Sequence, residues 1–437
     1  MDKWIEVKLS DIGKTYSGLS NKSAKDFGYG KDYIPYLNIY NNSKVNINFF
    51  EKVNIKKREN QNKVKYGDIF FTTSSETPDE VGMSSVLLDE VNEVYLNSFC
   101  FGFRLNDFNT LRPEFARYYF RGMGFRKQMN YLAQGSTRYN LSKVALLKYK
   151  AILPTIPEQS KIAEILTTID DAIEQTEKII EKYKRIKQGL LQDLLTKGID
   201  ENGNIRSEAT HKFKDSPLGR IPVEWEVVNV NDIAIHVGSG STPRGGQSVY
   251  LKEGILFIRS QNVSFDGLLL DDVAYIDDET HKRMKRSIVK NGDVLLNITG
   301  ASLGRVCVYK ELNEANVNQH VCIIRVKDKN EYNSDFLNAY LASYYGQCQI
   351  EKLIAGGNRE GLNFSHIRTI KVPYFKYDEQ ERIVKVLETV DLSIRSYFKE
   401  LNKQIAIKQG LMQDLLSGKV RVTHLLDKGG KSDECHP

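Results

Sequence analysis

The chain contains much of its own sequence twice, and this internal repeat constrains its fold more than any other feature. The segment KQGLLQDLLTKG begins at Lys187 and returns as KQGLMQDLLSGK at Lys408, 221 residues later. The same offset aligns Trp4 with Trp225, EQSKI with EQERI, and GSTRYNL with GNREGL. Because each copy of a repeat folds in the same way, the sequence predicts two similar halves within one molecule.

Each copy combines a mixed part with a helical part. The mixed part contains short apolar runs such as YGDIFFT and HVCIIRV between Gly, Asn and Ser clusters, together with helical stretches. This mixture predicts an α+β fold and not a repeating βα barrel. We divide the chain into a globular domain at 1–154, a helix at 155–198, a linker at 199–224, a second globular domain at 225–375, a second helix at 376–418 and a tail at 419–437.

The helical part of each copy has the period of a coiled coil. Alternate steps of four and three residues meet an apolar or aromatic side chain at eight of ten positions in both copies. The predicted seams comprise Ile162, Leu166, Ile169, Ile173, Thr176, Ile180, Tyr183, Lys187, Leu190 and Leu194, and Ile383, Leu387, Val390, Ile394, Tyr397, Leu401, Gln404, Lys408, Leu411 and Leu415.

A long helix cannot bury such a stripe alone, so the two helices are expected to pack on each other. Duplicated halves usually relate by a two-fold axis, which predicts an antiparallel pair with the globular domains at opposite ends. A parallel pair and a coil between two molecules remain the alternatives.

Two seam lysines allow a sharper hypothesis about the register of that pair. If the helices cross near their middles, Lys187 approaches Asp391 and Lys408 approaches Asp170. The alternative, which the sequence alone favours, is that both lysines extend into solvent.

Bulk composition narrows the functional classes without selecting a partner. The net charge of +6, from 62 basic and 56 acidic residues, tilts toward anionic ligands but also fits an ordinary solvated surface. Five scattered cysteines without a CxxC pair predict neither disulfides nor a zinc site. For the same reason we expect no metal in this chain. No membrane span or signal peptide is recognisable, so we expect a cytoplasmic protein.

Sequence motifs for catalysis are missing. The fragment IGKT at Ile12 resembles the end of a phosphate-binding loop, but Lys8 stands where the first glycine belongs. The prolines never occur in adjacent positions, which excludes an Asn-Pro-Pro-Tyr-like methyltransferase motif. No HxxxH pair occurs, and the Cys435–His436 pair lies in a Gly/Lys/Asp/Ser tail that is expected to be disordered. The chain is therefore expected to bind its partners and not to catalyse a reaction.

Polar loops in both globular domains suit the recognition of base edges in double-stranded DNA. Arg pairs well with guanine, and Asn or Gln with adenine, each contributing about 1–3 kcal/mol of discrimination. Ordinary turn chemistry is the alternative for every loop. Bases should be contacted where the copies differ, as at Asn38 and Arg259 or at Tyr40 and Gln261, whereas the equivalent Arg138 and Arg359 suit phosphate or a structural role. The candidates are Lys22, Lys25, Lys31, Asn38, Tyr40, Asn41, Ser74, Thr137, Arg138, Asn140, Arg244, Gln247, Arg259, Gln261, Asn262, Thr299, Asn358, Arg359 and Asn363.

The chain resembles the specificity subunit of type I restriction-modification systems. The resemblance lies in the duplicated layout, the EQ-x-x-I helix starts at Glu158 and Glu379, the repeated helix ends, and the linker FKDSPLGRIPVEWEV from Phe213. It implies that each globular domain recognises half of a split, asymmetric DNA target while the helices set the spacing.

The resemblance also implies partners that carry the chemistry. These are two modification subunits, which methylate adenine with S-adenosylmethionine, and restriction subunits, which use ATP and Mg; no cofactor is expected in this chain. The helix surfaces from Glu174 to Arg185 and from Phe398 to Gln404 would then dock modification subunits, or would simply be solvated. Competing functions are a non-catalytic coiled-coil scaffold and the recognition region of a single-chain restriction enzyme.

Overall fold

A computed structural model describes residues 4–133, 135, 138–243, 245, 249–355 and 361–426. The chain folds into two compact units. The first unit comprises the residues up to Lys178 and those from Lys399 onward, and the second comprises Ile179–Phe398. Each unit therefore combines one globular domain with a segment of both long helices.

Two long helices dominate the secondary structure, Ile156–Thr196 with 41 residues and Tyr377–Leu416 with 40 residues. The shorter helices are Leu9–Ile12, Tyr36–Asn41, Pro113–Tyr119, Met123–Leu132 and Lys143–Leu147 in the first domain, and Val230–Ile233, Asp278–Arg283, Ser334–Ala342, Tyr344–Ala355 and Phe364–Arg368 in the second.

The main sheet of each domain has the same strand order. It runs Gly13–Ser17, Cys100–Leu105, Ile69–Thr72, Ser84–Val86 in the first domain and Ala234–Ser239, Val321–Val326, Val294–Asn297, Val306–Val308 in the second, with antiparallel neighbours throughout. The apolar runs form the two central strands of each main sheet, which are almost entirely buried, whereas the edge strands Gly13–Ser17 and Ala234–Ser239 are partly exposed.

A second sheet also recurs, with one parallel pair in each copy. It runs Glu51–Val53, Phe27–Ile34, Tyr95–Leu96 in the first domain and Ala274–Ile276, Ile255–Ile258, Ala315–Val317, Ile288–Val289 in the second. The remaining strands pair in twos: Ile5–Lys8 with Lys150–Leu153, Ser74–Ser75 with Tyr139–Asn140, Phe213–Ser216 with Gly219–Pro222, Glu226–Asn229 with Lys371–Tyr374, and Val263–Ser264 with Gly267–Leu268. The shared topology confirms the predicted duplicated α+β architecture.

Within each unit the two helix segments run antiparallel, as predicted. In the first unit Ile162 and Leu166, near the start of one helix, share a core with Leu415, at the end of the other. In the second unit Leu194 shares a core with Ile383. Every position of the two predicted seams is buried or half-buried.

The EQ-x-x-I motif joins each long helix to its globular domain. Gln159 accepts from the backbone of Arg112 and donates to two carbonyls, and Gln380 repeats this arrangement with Asn333. Glu158 accepts from Arg421 at 2.6 and 2.7 Å, just as Glu379 accepts from Arg206. The motif is therefore structural, because its Glu and Gln side chains form hydrogen bonds within their own unit.

Both predicted lysine pairs are present in the structure. Lys187 lies 2.6 Å from Asp391 in the second unit, and Lys408 lies 2.6 Å from Asp170 in the first. The preference for solvent-exposed lysines was wrong, because each ammonium forms a direct ion pair with a carboxylate on the facing helix.

The structure gives no packing role to the seam-adjacent glycines. A methyl group at Gly189 or Gly410 would meet nothing within 4 Å, so no close backbone approach requires a glycine at either position. Among the described residues, no helix is long and apolar enough to cross a membrane.

Candidate nucleic-acid interface

Four polar segments of the first domain meet beside its main sheet, and we call them the first loop cluster. They are the helix Tyr36–Asn41, the strand Ser74–Ser75, the turn Asn97–Phe99 and the strand Tyr139–Asn140. Ser74 pairs with Asn140, and the backbone N–H of Thr73 donates to the carbonyl of Phe99 at 2.9 Å. The Tyr36 hydroxyl donates to the carbonyl of Ser74 at 3.4 Å.

Half-buried Arg121 fixes the short helix of this cluster. Its guanidinium donates to the carbonyls of Ile39, Tyr40 and Asn42 at 2.8–2.9 Å. Burial, and after it the positive charges of Arg126 and Arg117, lower the pKa of Arg121 to about 10. A rigid scaffold under a polar segment is what precise recognition needs, because little conformational entropy is lost when a ligand binds.

Two predicted contact residues of the first domain have structural roles instead. Asn38 is fully buried, donates to the carbonyls of Asn46 and Phe49 and accepts from the backbone of Asn46. The Lys22 side chain is 3% exposed and bonded to Glu59. Neither side chain can reach a base, because its polar groups are already satisfied in the interior.

The exposed part of the first loop cluster carries Asn41, Arg138 and Asn140. Tyr40 is half-buried and donates to Glu80; this hydrogen bond, followed by burial, raises the pKa of Tyr40. The positive charge of Arg138 lowers the pKa of the neighbouring Tyr36 phenol, but burial outweighs it and raises that pKa overall. Arg138 therefore supplies the cationic group of this surface.

The two other predicted lysines of the first domain are on its surface. Lys25 is exposed in a short 3-10 helix, Ala24–Asp26. Lys31 lies 2.5 Å from Glu93, which also pairs with Lys63. Exposed pairs of this kind contribute about 0–1 kcal/mol, so Lys31 can exchange its partner for a phosphate at small cost.

The second domain builds an equivalent second loop cluster from Arg259–Asn262, Asn297–Thr299, Asn318–His320 and Gly361–Asn363. Thr299 bridges Gly361, at the positions that align with Ser74 and Asn140. The N–H of Ile298 donates to the carbonyl of His320 at 2.9 Å. The duplication thus extends to the hydrogen bonds of the loops.

Polar side chains of the second loop cluster are engaged to different degrees. Asn262 is 2% exposed and donates to the carbonyls of Leu269 and Asp272, so it is structural and not a base contact. Arg259 is half-buried, 3.1 Å from Asp272. Exposed Gln261 donates to the same carboxylate, at 2.5 Å. Asn363 caps the helix Phe364–Arg368.

Five of the predicted contact residues lie outside the described residues: Thr137, Arg244, Gln247, Asn358 and Arg359. They remain predictions.

Sequence reasoning missed the turns Asn97–Phe99 and Asn318–His320. Phe99 is 61% exposed, and Gln319 is exposed beside a half-buried His320. The signal was in the aligned segments NSFCFGFR and NQHVCIIR, whose first residue agrees while the next two differ. The criterion that differing positions contact bases would have selected them.

Two buried cysteines of the second domain are unreactive thiols. Burial raises the pKa of the Cys307 thiol to about 12, and burial also raises that of Cys322 to about 12, so both stay protonated at neutral pH. No group of three or more His, Cys, Asp or Glu residues suited to a metal ion occurs in the described part of the chain. Its clustered polar groups can donate and accept hydrogen bonds.

The chain is similar to proteins of one known family. The family model for the type I restriction modification DNA specificity domain matches residues 1–185 and 222–406. The type I restriction enzyme MjaVIII specificity subunit of Methanocaldococcus jannaschii is 28% identical over 280 residues, 63% of each chain. A putative MjaX specificity subunit of the same organism is 28% identical over 96% of this chain and 94% of its own.

A solved structure has the same fold. The crystal structure of a type I restriction-modification S subunit from M. genitalium superposes with a TM-score of 0.56 at 18% identity, covering 94% of this chain and 96% of that one. The family model matches twice, once over each copy of the internal repeat. The chain belongs to the family of type I restriction-modification DNA specificity proteins.

Proposed function

We propose that this chain selects the DNA target of a type I restriction-modification complex. Each globular domain recognises one half of a bipartite, asymmetric target, and the paired helices set the number of unread base pairs between the halves. The observation that carries the proposal is that both loop clusters share a backbone frame but present different side chains.

This division between frame and side chains matches how proteins recognise DNA. Main-chain and basic groups hold a protein on the phosphate backbone, whereas side chains discriminate base edges in the major groove. Arg138 is placed for the first task, and the loop side chains around it for the second. Two domains with different side chains explain why the target should be asymmetric.

The chemistry of methylation and cleavage belongs to partners in this proposal. Two modification subunits supply adenine methylation with S-adenosylmethionine, and restriction subunits supply ATP-dependent translocation and cleavage with Mg. This chain then needs no cofactor, and it works in the cytoplasm, where it reaches chromosomal DNA.

Exposed helix faces support a docking role for modification subunits. Between Glu174 and Arg185 the outward side chains pair with each other, as in Lys178–Glu174 at 2.5 Å and Lys184–Glu181 at 2.9 Å. Phe398 is 40% exposed with the Lys184 ammonium 5.6 Å from its ring centre. An exposed aromatic among exchangeable ion pairs is the composition of an interface centre with a polar rim.

Methylation sequencing tests the proposed function. A host that lacks related systems would express the modification subunit alone, this chain alone, or both. Only the pair should methylate adenine, in one split motif with a fixed gap. Equal methylation without this chain would contradict the proposal.

A further inference from the structure

The turns Asn97–Phe99 and Asn318–His320 occupy the same position in the two domains. In each turn the asparagine side chain accepts from the backbone N–H two residues later, at 2.7 Å for Phe99 and 3.0 Å for His320. The carbonyl of that later residue, Phe99 or His320, accepts from the backbone N–H of Thr73 or Ile298, at 2.9 Å in both domains. The backbone of the turn is therefore fixed independently of the two residues at its tip.

A second backbone hydrogen bond connects each turn to the polar surface. The carbonyl of Thr73 accepts from Leu141 at 2.9 Å, and that of Ile298 accepts from Leu362 at 2.9 Å. Arg138 and Asn140 directly precede this step in the first domain. The turn that holds the tip residues is thus joined, through Thr73 or Ile298, to the segment that carries the groups already assigned to DNA contact.

The tips differ completely in chemistry. The first presents Ser98 and the ring of Phe99, which is 61% exposed. In the second, the Gln319 amide donates to Nε2 of His320 at 3.0 Å and accepts from Thr242 at 2.5 Å, while His320 Nδ1 is hydrogen-bonded to Thr299. The first tip presents an apolar ring. The second presents an amide whose oxygen and nitrogen each form one hydrogen bond, and each of these atoms can form a second one.

We infer that these two turns determine sequence specificity, with Phe99 contacting a thymine methyl group in the first half-site and Gln319 pairing with adenine in the second. An apolar ring suits the methyl group that only thymine carries in the major groove, and a Gln amide suits the paired acceptor and donor of adenine. His320 acts as a positioning residue that orients Gln319. This inference rests on the proposed function and assigns individual residues to base contact.

The test compares methylation motifs of the full chain co-expressed with its modification subunit. Phe99→Ala should relax one position of the first half-site, and Gln319→Ala one position of the second, each by roughly 5- to 150-fold in preference. His320→Ala should relax the same position as Gln319→Ala. In every variant the other half-site should stay unchanged, which makes it an internal control.

Leu312→Ala is the matched surface control. Leu312 is 94% exposed in the second domain, and its neighbour Lys310 pairs with Glu388 of the long helix. This variant should leave both half-sites unchanged, and all four variants should unfold at the temperature of the original chain within a few degrees.

The possible outcomes separate the two levels of the proposal. If the original chain gives a split motif and neither Phe99→Ala nor Gln319→Ala alters it, the turns are structural and the inference is overturned while the proposed function stands. If the original chain with its modification subunit gives no split motif, both are overturned.

Discussion

Asp170 and Asp391 are equivalent helix residues that differ in their surroundings. Asp170 is 14% exposed and accepts from Arg117, Tyr118 and Lys408, whereas Asp391 is 33% exposed and pairs with Lys187. Asp170 is the shared acceptor of the buried Tyr118 and the half-buried Arg117 and Lys408. Removing one partner of a buried pair costs about 3–5 kcal/mol, and removing an exposed pair costs about 0–1 kcal/mol.

We therefore expect Asp170→Ala to lower the free energy of unfolding by about 3 kcal/mol, and Asp391→Ala, its matched control, by less than about 1 kcal/mol. Urea denaturation of both variants at neutral pH measures the difference. Equal losses would show that the three donors on Asp170 do not act together.

Glu158 gives the first unit a pH dependence. Burial alone would raise its pKa, but the hydrogen bonds and charge of Arg421 and the indole N–H of Trp4 outweigh burial, so the pKa falls below its usual 4.5. A depressed carboxyl pKa stabilises the fold above the unfolded value, and the contribution disappears as the pH falls through the folded value.

The original chain should therefore lose stability on acidification below pH 4.5 more steeply than an Arg421→Met variant, which lacks this pair. Thermal unfolding between pH 3 and pH 7, analysed as a pH slope, measures the effect. Parallel slopes for the two proteins would contradict the assignment.

Residue roles were the hardest part to predict from the sequence. Heptad arithmetic placed each lysine opposite an aspartate, because spacing along a helix fixes which residues face each other, but it did not decide between pairing and extension into solvent. The roles of Asn38 and Asn262 did not, because a polar residue in a loop can face either solvent or interior. Burial depends on long-range contacts such as those of Asn38 with Phe49, which no local pattern encodes.

The long helices carry a glycine at one equivalent position each. Gly189 and Gly410 are exposed, and a side chain at either would meet open space. Glycine in a helix interior costs about 1 kcal/mol relative to alanine.

We expect Gly189→Ala and Gly410→Ala each to raise the free energy of unfolding by about 0.5–1 kcal/mol, and the double variant to raise it by about their sum. Urea denaturation of the isolated chain measures this. A loss of stability would mean that the glycine permits a bend that the helix needs.

Helix length should determine the gap between half-sites. Four residues inserted after Lys178 and four after Phe398, where the helices pass from one compact unit to the other, add about 6 Å and about one turn, which nearly keeps the seam aligned. Since base pairs are spaced about 3.4 Å, the gap should grow by about one or two base pairs.

The half-site bases should stay unchanged in this variant, as methylation sequencing would show. A two-residue insertion at both positions is the control, because it turns the seams by about half a revolution and should abolish methylation. Altered half-site bases after the four-residue insertion would contradict the division of labour between helices and domains.

Elements were easier to predict than residue roles, because periodicity is a local signal. The helices begin at Ile156 and Tyr377, six residues before the first seam positions, and they end close to the repeated KQGL-x-QDLL segments. The sheets were foreseen only as a fold class. Their strand order depends on pairings such as Gly13–Ser17 with Cys100–Leu105, which are far apart in sequence.

The whole molecule is a duplication whose two copies share their backbone structure and differ in their surface side chains. The EQ-x-x-I contacts, the main sheet and the ladder at each turn recur in both halves. The internal repeat made this architecture predictable without any structure. Base-contacting residues were not predictable to the same degree, because the differing positions include buried residues such as Asn38 as well as exposed ones such as Phe99.

The central claim is that each domain recognises one half of the target, and an internal domain exchange tests it most directly. Replacing residues 225–375 by residues 4–154 gives a chain with two identical domains on antiparallel helices. Methylation sequencing with the modification subunit should then yield a split motif whose second half is the inverted copy of the first. A motif that keeps the original second half would contradict the account.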